Sequence, residues 1–225
     1  MHARLAVLSV AAIASLWGCV SLKRTPEARF FALRSQVQAP DAAETPARAA
    51  LVGILPVVLP GHLERPQVVV WTGPGELRID EFVRWAEPLD AGIDRVLAES
   101  LAILLPGHRV LRSPWPSSTP LRCRARLELT TFGPQPEGQV ELTGRWALLP
   151  DRSERPVVSR AVSLRRGPVP GGPAPPEPVA AVEAMSQLLA ELSAQIADAI
   201  RALPPEEEPP GRDEAEHRPV TPEEQ

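Results

Sequence analysis

Cys123-Arg124-Ala125-Arg126-Leu127-Glu128-Leu129 and, after a turn, Val140-Glu141-Leu142-Thr143-Gly144-Arg145-Trp146-Ala147-Leu148 alternate apolar and polar side chains. A period of two belongs to a strand with one buried and one wet face. Cys123, Ala125, Leu127 and Leu129 share the apolar face, against Arg122, Arg124, Arg126 and Glu128 on the other. Val140, Leu142, Gly144, Trp146 and Leu148 repeat the pattern, with Glu141 and Arg145 outward. Residues 133–138, bounded by glycines, join the two as antiparallel neighbours. A sheet with one apolar face needs a cover, so the segments around this pair decide the fold class.

Upstream, Ala50-Leu51-Val52-Gly53-Ile54-Leu55 and Val57-Val58-Leu59 form a nearly continuous apolar run. Such a run predicts a central strand covered on both faces. Residues 67–72 and 76–79 flank Gly73-Pro74-Gly75 and predict a hairpin. Pro88, preceded by Glu87, opens a helix whose Ile93, Val96, Leu97, Leu101 and Leu104 share one face, and Pro106-Gly107 ends it. Residues 109–111 and 157–164 predict two further strands, and Phe30-Phe31-Ala32-Leu33 predicts an edge strand within 29–34. The longest helix spans 179–203, with Val182, Met185, Leu189, Leu192, Ile196, Ile200 and Leu203 three and four residues apart. Together these predict one compact α/β domain, a mixed β-sheet with helices packed on it. The wide separation of the helices in sequence leaves room for them to cover opposite faces of that sheet.

The ends read differently. Residues 5–16 are apolar, follow Arg4 and are too short to span a bilayer; they run into Leu16-Trp17-Gly18-Cys19. This predicts a lipoprotein signal peptide over 1–18 and lipid attachment at Cys19, although Trp17 stands where Ala, Ser or Thr is usual. Cys19 would carry a diacylglycerol and a further acyl chain such as palmitate, each buried methylene contributing about 0.8 kcal/mol. An ordinary secretory signal with an incidental Cys19 is the alternative. Residues 19–49 then hold the lipidated N-terminus, the first strand and a linker, and 50–203 the α/β domain. A tail over 204–225, rich in Pro and Glu, is predicted to be disordered. Residues 205–225 hold eight acids against Arg212 and Arg218, so the formal charge of -4 leaves the rest of the chain slightly positive. That excess is too small for nucleic-acid binding. Beyond Cys19 only Cys123 remains, so no intrachain disulfide forms and Cys123 reads as a small buried hydrophobe.

Catalytic machinery is not apparent. His62 and His108 each follow a Pro-Gly pair, and neither has a second ligand at metal spacing. No nucleophile elbow, phosphate-binding loop or dinucleotide fingerprint is present. The chain is therefore expected to be no enzyme and to need neither cofactor nor metal. Asp80-Glu81 and Glu87 with Asp90 have the chemistry for acid and base work, but such residues more often cap helices or face water. Arg122, Arg124 and Arg126 form a basic ridge suited to lipid phosphate or an acidic partner. The alternative has Glu128 and Glu141 neutralising them across the sheet. Trp71 is either an exposed partner contact or part of the core.

Arg65-Pro66-Gln67-Val68-Val69, Thr72-Gly73-Pro74-Gly75-Glu76-Leu77, Phe82-Val83-Arg84-Trp85-Ala86-Glu87-Pro88-Leu89 and residues 101–107 give the chain a family likeness. With the strand 140–148, they resemble the ABC-type transport auxiliary lipoprotein family, over about 30–203. The proline-rich 167–178 and the acidic tail are extra. The resemblance implies a periplasm-facing lipoprotein working with an MCE-domain protein and its inner-membrane permease to move phospholipid or other hydrophobic molecules between membranes. It also implies a domain similar to the N-terminal domain of TolB, self-association into a homo-oligomer, and no catalytic residues. Val20 is not the aspartate that retains such proteins at the inner membrane, which points to the outer one. A lipid-carrying binding protein with its own apolar cavity is the competing class, and 85–89 is expected to act structurally, at the join between hairpin and helix.

Overall fold

The computed structural model describes residues 26–40, 50–167 and 177–204. Cys19, the signal peptide and the acidic tail beyond Pro204 lie outside the described residues. In chain order the strands are β1 (Arg29–Phe31), β2 (Leu51–Ile54), β3 (Gln67–Gly73), β4 (Glu76–Trp85), β5 (Arg109–Arg112), β6 (Cys123–Pro134), β7 (Val140–Leu149) and β8 (Val158–Arg166). Helix α1 (Leu89–Leu104) follows β4, and α2 (Pro178–Arg201) closes the described chain.

The fold class is the α/β domain read from the sequence, but the strands divide into two mixed sheets. One has the order β5-β2-β6-β7-β8 and the other β1-β4-β3. In the larger sheet β2 lies between parallel neighbours β5 and β6, while β6, β7 and β8 are antiparallel. The apolar run from Leu51 thus makes the expected central strand, though a shorter one. Proline has no N–H to donate, and Pro56 interrupts the ladder after Leu55 N–H reaches the Ala125 carbonyl at 3.0 Å. Beyond it only Val58 rejoins β6, through a bridge to Glu128.

Alternation held along β6 and β7: Cys123, Ala125, Leu127, Leu129, Val140, Leu142, Trp146 and Leu148 are all buried. Both helices serve that same apolar face. Helix α2 packs on β6, β7 and β8, while α1 lies against α2 and β5. The helices are therefore side by side rather than on opposite faces, because the other face of β6 and β7 carries Arg124, Arg126, Glu128 and Arg145 and stays wet. Wedged between sheet and α1, α2 buries more than a simple stripe: Ala181, Ser186, Ser193 and Ala197 are buried beside the expected Leu and Ile positions.

Strand β4 runs six residues beyond the predicted 76–79. Its first half pairs with β3, Trp71 opposite Leu77, around a turn in which Gly75 takes a φ of +75°. Its second half gains a parallel partner in β1, Phe31 opposite Trp85. From β1 the chain crosses both helices as a strap. Leu33 is buried at 2% exposure, Arg34 N–H donates to Ser186 Oγ on α2 at 3.2 Å, and Ser35 and Ser100 Oγ on α1 are 2.9 Å apart.

Candidate functional site

The residues singled out by sequence fall into separate places. Trp71 on β3 is half-buried, its ring meeting His62 edge-on at a centroid distance of 5.5 Å. It forms one wall of an open cleft of about 590 Å³ between two hairpin turns, with Pro74 on its own turn and Thr131, Gln135, Pro136 and Glu137 opposite. Arg122 lies at the other end of β6, where its Nη2 donates to the Leu203 carbonyl at 2.9 Å, at the end of α2. Trp71 and the arginines therefore do not form one surface.

Arg124 and Arg126 do come together, through an acid the sequence reading did not name. Glu154, in the β7–β8 connection, lies 3.0 Å from Arg124 and 2.6 Å from Arg126. Their guanidinium groups hold the Glu154 carboxyl below the usual range. Arg124 also donates to the Pro150 and Ser153 carbonyls at 3.2 and 2.7 Å. Glu141, named as a neutraliser, instead pairs with Arg165 on β8 at 2.9 Å. The register explains the choice: Arg124 faces Leu149, so the connection that begins at Pro150 folds back onto it. Nothing in the local sequence carries that register.

The other polar candidates hold backbone or joints. Asp80 Oδ1 accepts the Phe82 N–H at 2.8 Å, and Glu81 accepts from Gln67 at 2.9 Å. Glu87 pairs with Arg95 at 2.6 Å, and Arg95 also donates to the Leu33 carbonyl at 2.9 Å, tying the β4–α1 joint to the strap. Trp85 and Leu89 are buried, and Ala86 N–H donates to the Phe31 carbonyl at 2.8 Å. The 85–89 motif is thus a structural joint.

His108 and His62 are not brought together with other ligands; among the described residues no group of three His, Cys, Asp or Glu could hold a metal ion. Burial, aided by the charge of Arg122, lowers the His108 pKa. Burial raises the Cys123 thiol to about 11, the behaviour of an inert core cysteine. A second, smaller groove, between the three-stranded sheet and the start of α2, brings together Arg29, Arg78, Asp80 and Glu177. Of these only Asp80 drew notice in the sequence, because the four come from three elements distant in the chain.

Fold and clefts together define a small two-sheet α/β domain whose polar side chains mostly serve as structural ties. A family model described as "ABC-type transport auxiliary lipoprotein component" matches residues 31–197, most of the chain, and the protein belongs to that family. It is accordingly an auxiliary lipoprotein component of an ABC-type transporter, the recognition the sequence motifs had suggested. Two solved structures share the fold. A "Crystal structure of uncharacterized protein" has a TM-score of 0.61 at 23% identity, covering 78% of this chain and 99% of that one. Protein XCC0632 from Xanthomonas campestris has a TM-score of 0.62 at 16% identity, covering 76% and 93%. No curated protein matches the chain. Among the described residues no helix is long and apolar enough to cross a membrane.

Proposed function

We propose that the protein is a non-enzymatic adaptor, anchored through acylated Cys19 to the periplasmic face of the outer membrane, for an MCE-type lipid transporter. The observation that carries this reading is the family match over 31–197, which begins twelve residues beyond a lipoprotein-type cysteine. A filled interior supports an adaptor over a carrier: α2 buries Leu188, Leu189, Leu192, Ile196 and Ile200 between sheet and α1. The two clefts described above lie at the surface, and the larger, beside Trp71, is the face offered to a protein partner. Large aromatic side chains in partly enclosed clefts are frequent anchors of protein interfaces. The partners in this reading are an MCE-domain periplasmic protein with its inner-membrane permease, and further copies of the chain.

An affinity pull-down of the acylated protein from envelope membranes, with mass spectrometry of what is retained, tests the assignment. Recovery of an MCE-domain protein and a permease is the expected result. Copurification of lipid with no protein partner would replace the adaptor with the carrier.

A further inference from the structure

The smaller groove has a volume of about 280 Å³. Its floor is apolar, with Val68 and Val70 from β3, Val83 from β4 and Ala181 from α2. Its rim carries two cations and two anions: Arg29 on β1, Arg78 and Asp80 on β4, and Glu177 at the head of α2. Opposite charges lining one groove often pair with one another. Here, among the described residues, none of the four enters an ion pair within 4 Å. Arg29 rests over the Phe31 ring at 5.2 Å, and Asp80 uses Oδ1 for the Phe82 N–H, leaving its other oxygen unused. Glu177 makes no capping hydrogen bond to α2. The rim is thus balanced in charge, with its carboxylates and guanidinium groups all open to a ligand.

A groove with both signs on its rim and an apolar floor complements a ligand that itself carries both signs next to an apolar stem. We propose that it binds the headgroup of a phospholipid bearing a phosphate and a primary ammonium. Arg29 and Arg78 take the phosphate, and Asp80 and Glu177 take the ammonium. Charge-assisted hydrogen bonds of both kinds are the strong class of polar contact. Size sets how much of the lipid enters: 280 Å³ falls just below the roughly 300–1,000 Å³ of pockets that enclose whole small molecules. The headgroup and glycerol fit, while the acyl chains stay in the bilayer. Resting on the proposed anchor, the location agrees, because Arg29 lies ten residues after Cys19, a reach of at most ~35 Å for extended chain. An anchored molecule therefore keeps this groove near lipid headgroups.

The test is calorimetric titration of the full acylated chain in neutral detergent micelles. The probes are dihexanoyl phosphatidylethanolamine, phosphatidylglycerol and phosphatidylcholine, together with free phosphoethanolamine. The ethanolamine lipid is expected to bind about tenfold more tightly than the other two lipids, which lack a primary ammonium. Arg78→Gln weakens the ethanolamine and glycerol lipids alike, whereas Glu177→Gln lowers the ethanolamine lipid to the level of the glycerol one. Arg155→Gln, an exposed charge on the β7–β8 connection, leaves all titrations unchanged, and unchanged melting curves show that the variants fold. Equal affinity for the three lipids, or no effect of Glu177→Gln, overturns the proposal. Free phosphoethanolamine binding as tightly as the lipid would make the ligand a soluble metabolite and overturn the membrane assignment. Because the titration needs no transporter and no bilayer, its failure is distinct from failure of the adaptor reading, which the pull-down measures.

Discussion

Asp94 on α1 accepts the Val57 N–H at 3.0 Å, and burial outweighs that bond, raising its carboxyl from the ordinary 3.8 to about 6. Between these values the folded protein holds a proton that the unfolded chain has released. The contribution of Asp94 to stability is therefore full below pH 3.8, declines as pH rises through about 6 and is lost above that. Asp94→Asn removes this slope and stabilises the neutral-pH protein by about 1 kcal/mol, once partial solvent screening is allowed for; urea unfolding from pH 4 to 7 measures it. Gly144 presents a different constraint. It faces Leu129 beside the β-bulge in β6, where an added Cβ would run into the Glu128 carbonyl oxygen and the Leu129 Cα. Backbone atoms cannot swing aside, so Gly144→Ala is expected to cost about 2–3 kcal/mol, read as a lowered urea midpoint. The sequence places Gly144 correctly on the inward face; the close approach of β6 is what demands glycine there.

At the scale of elements, the strap after β1 does more than its composition suggests. Leu33 is buried in the core, and its carbonyl accepts from Arg95, which also grips Glu87 and Glu99 at 2.6 and 3.2 Å. Those acids raise the Arg95 pKa further. Leu33→Ala is expected to destabilise the domain by about 2–4 kcal/mol, from lost transfer energy and the cavity left behind. Hydrogen exchange would show β1 and the second half of β4 opening first, since among the described residues the three-residue β1 is the only partner of β4 on that edge. The single stretch Phe30 to Leu33 announced an edge strand; that its last residue would leave the sheet and be buried in a strap tied to both helices depended on where α1 and α2 lie.

For the whole molecule, the ties from β1 through the strap hold the chain next to the proposed Cys19 anchor against both helices, so in that reading the membrane attachment would reach the domain through a packed segment. Cys19→Ala is expected to move the protein from the membrane fraction to the soluble one while its melting temperature stays unchanged; fractionation and calorimetry check the two halves. A fall in melting temperature would mean that the N-terminus supports the fold.

Periodicity made β6, β7, α1 and α2 legible from the sequence, because a strand or helix with one buried face writes that face into residues two, or three and four, apart. The motif residues identified the family for the same local reason, and Pro88, Pro106 and Gly107 marked where α1 begins and ends. Partnership across the chain was not legible. The split into two sheets, the side-by-side helices, the capture of Arg124 and Arg126 by Glu154, and the assembly of Arg29, Arg78, Asp80 and Glu177 around one groove all join residues far apart in sequence. Such pairings are set by strand register and by which surfaces remain to be covered once the core has closed, so only the tertiary structure decided them.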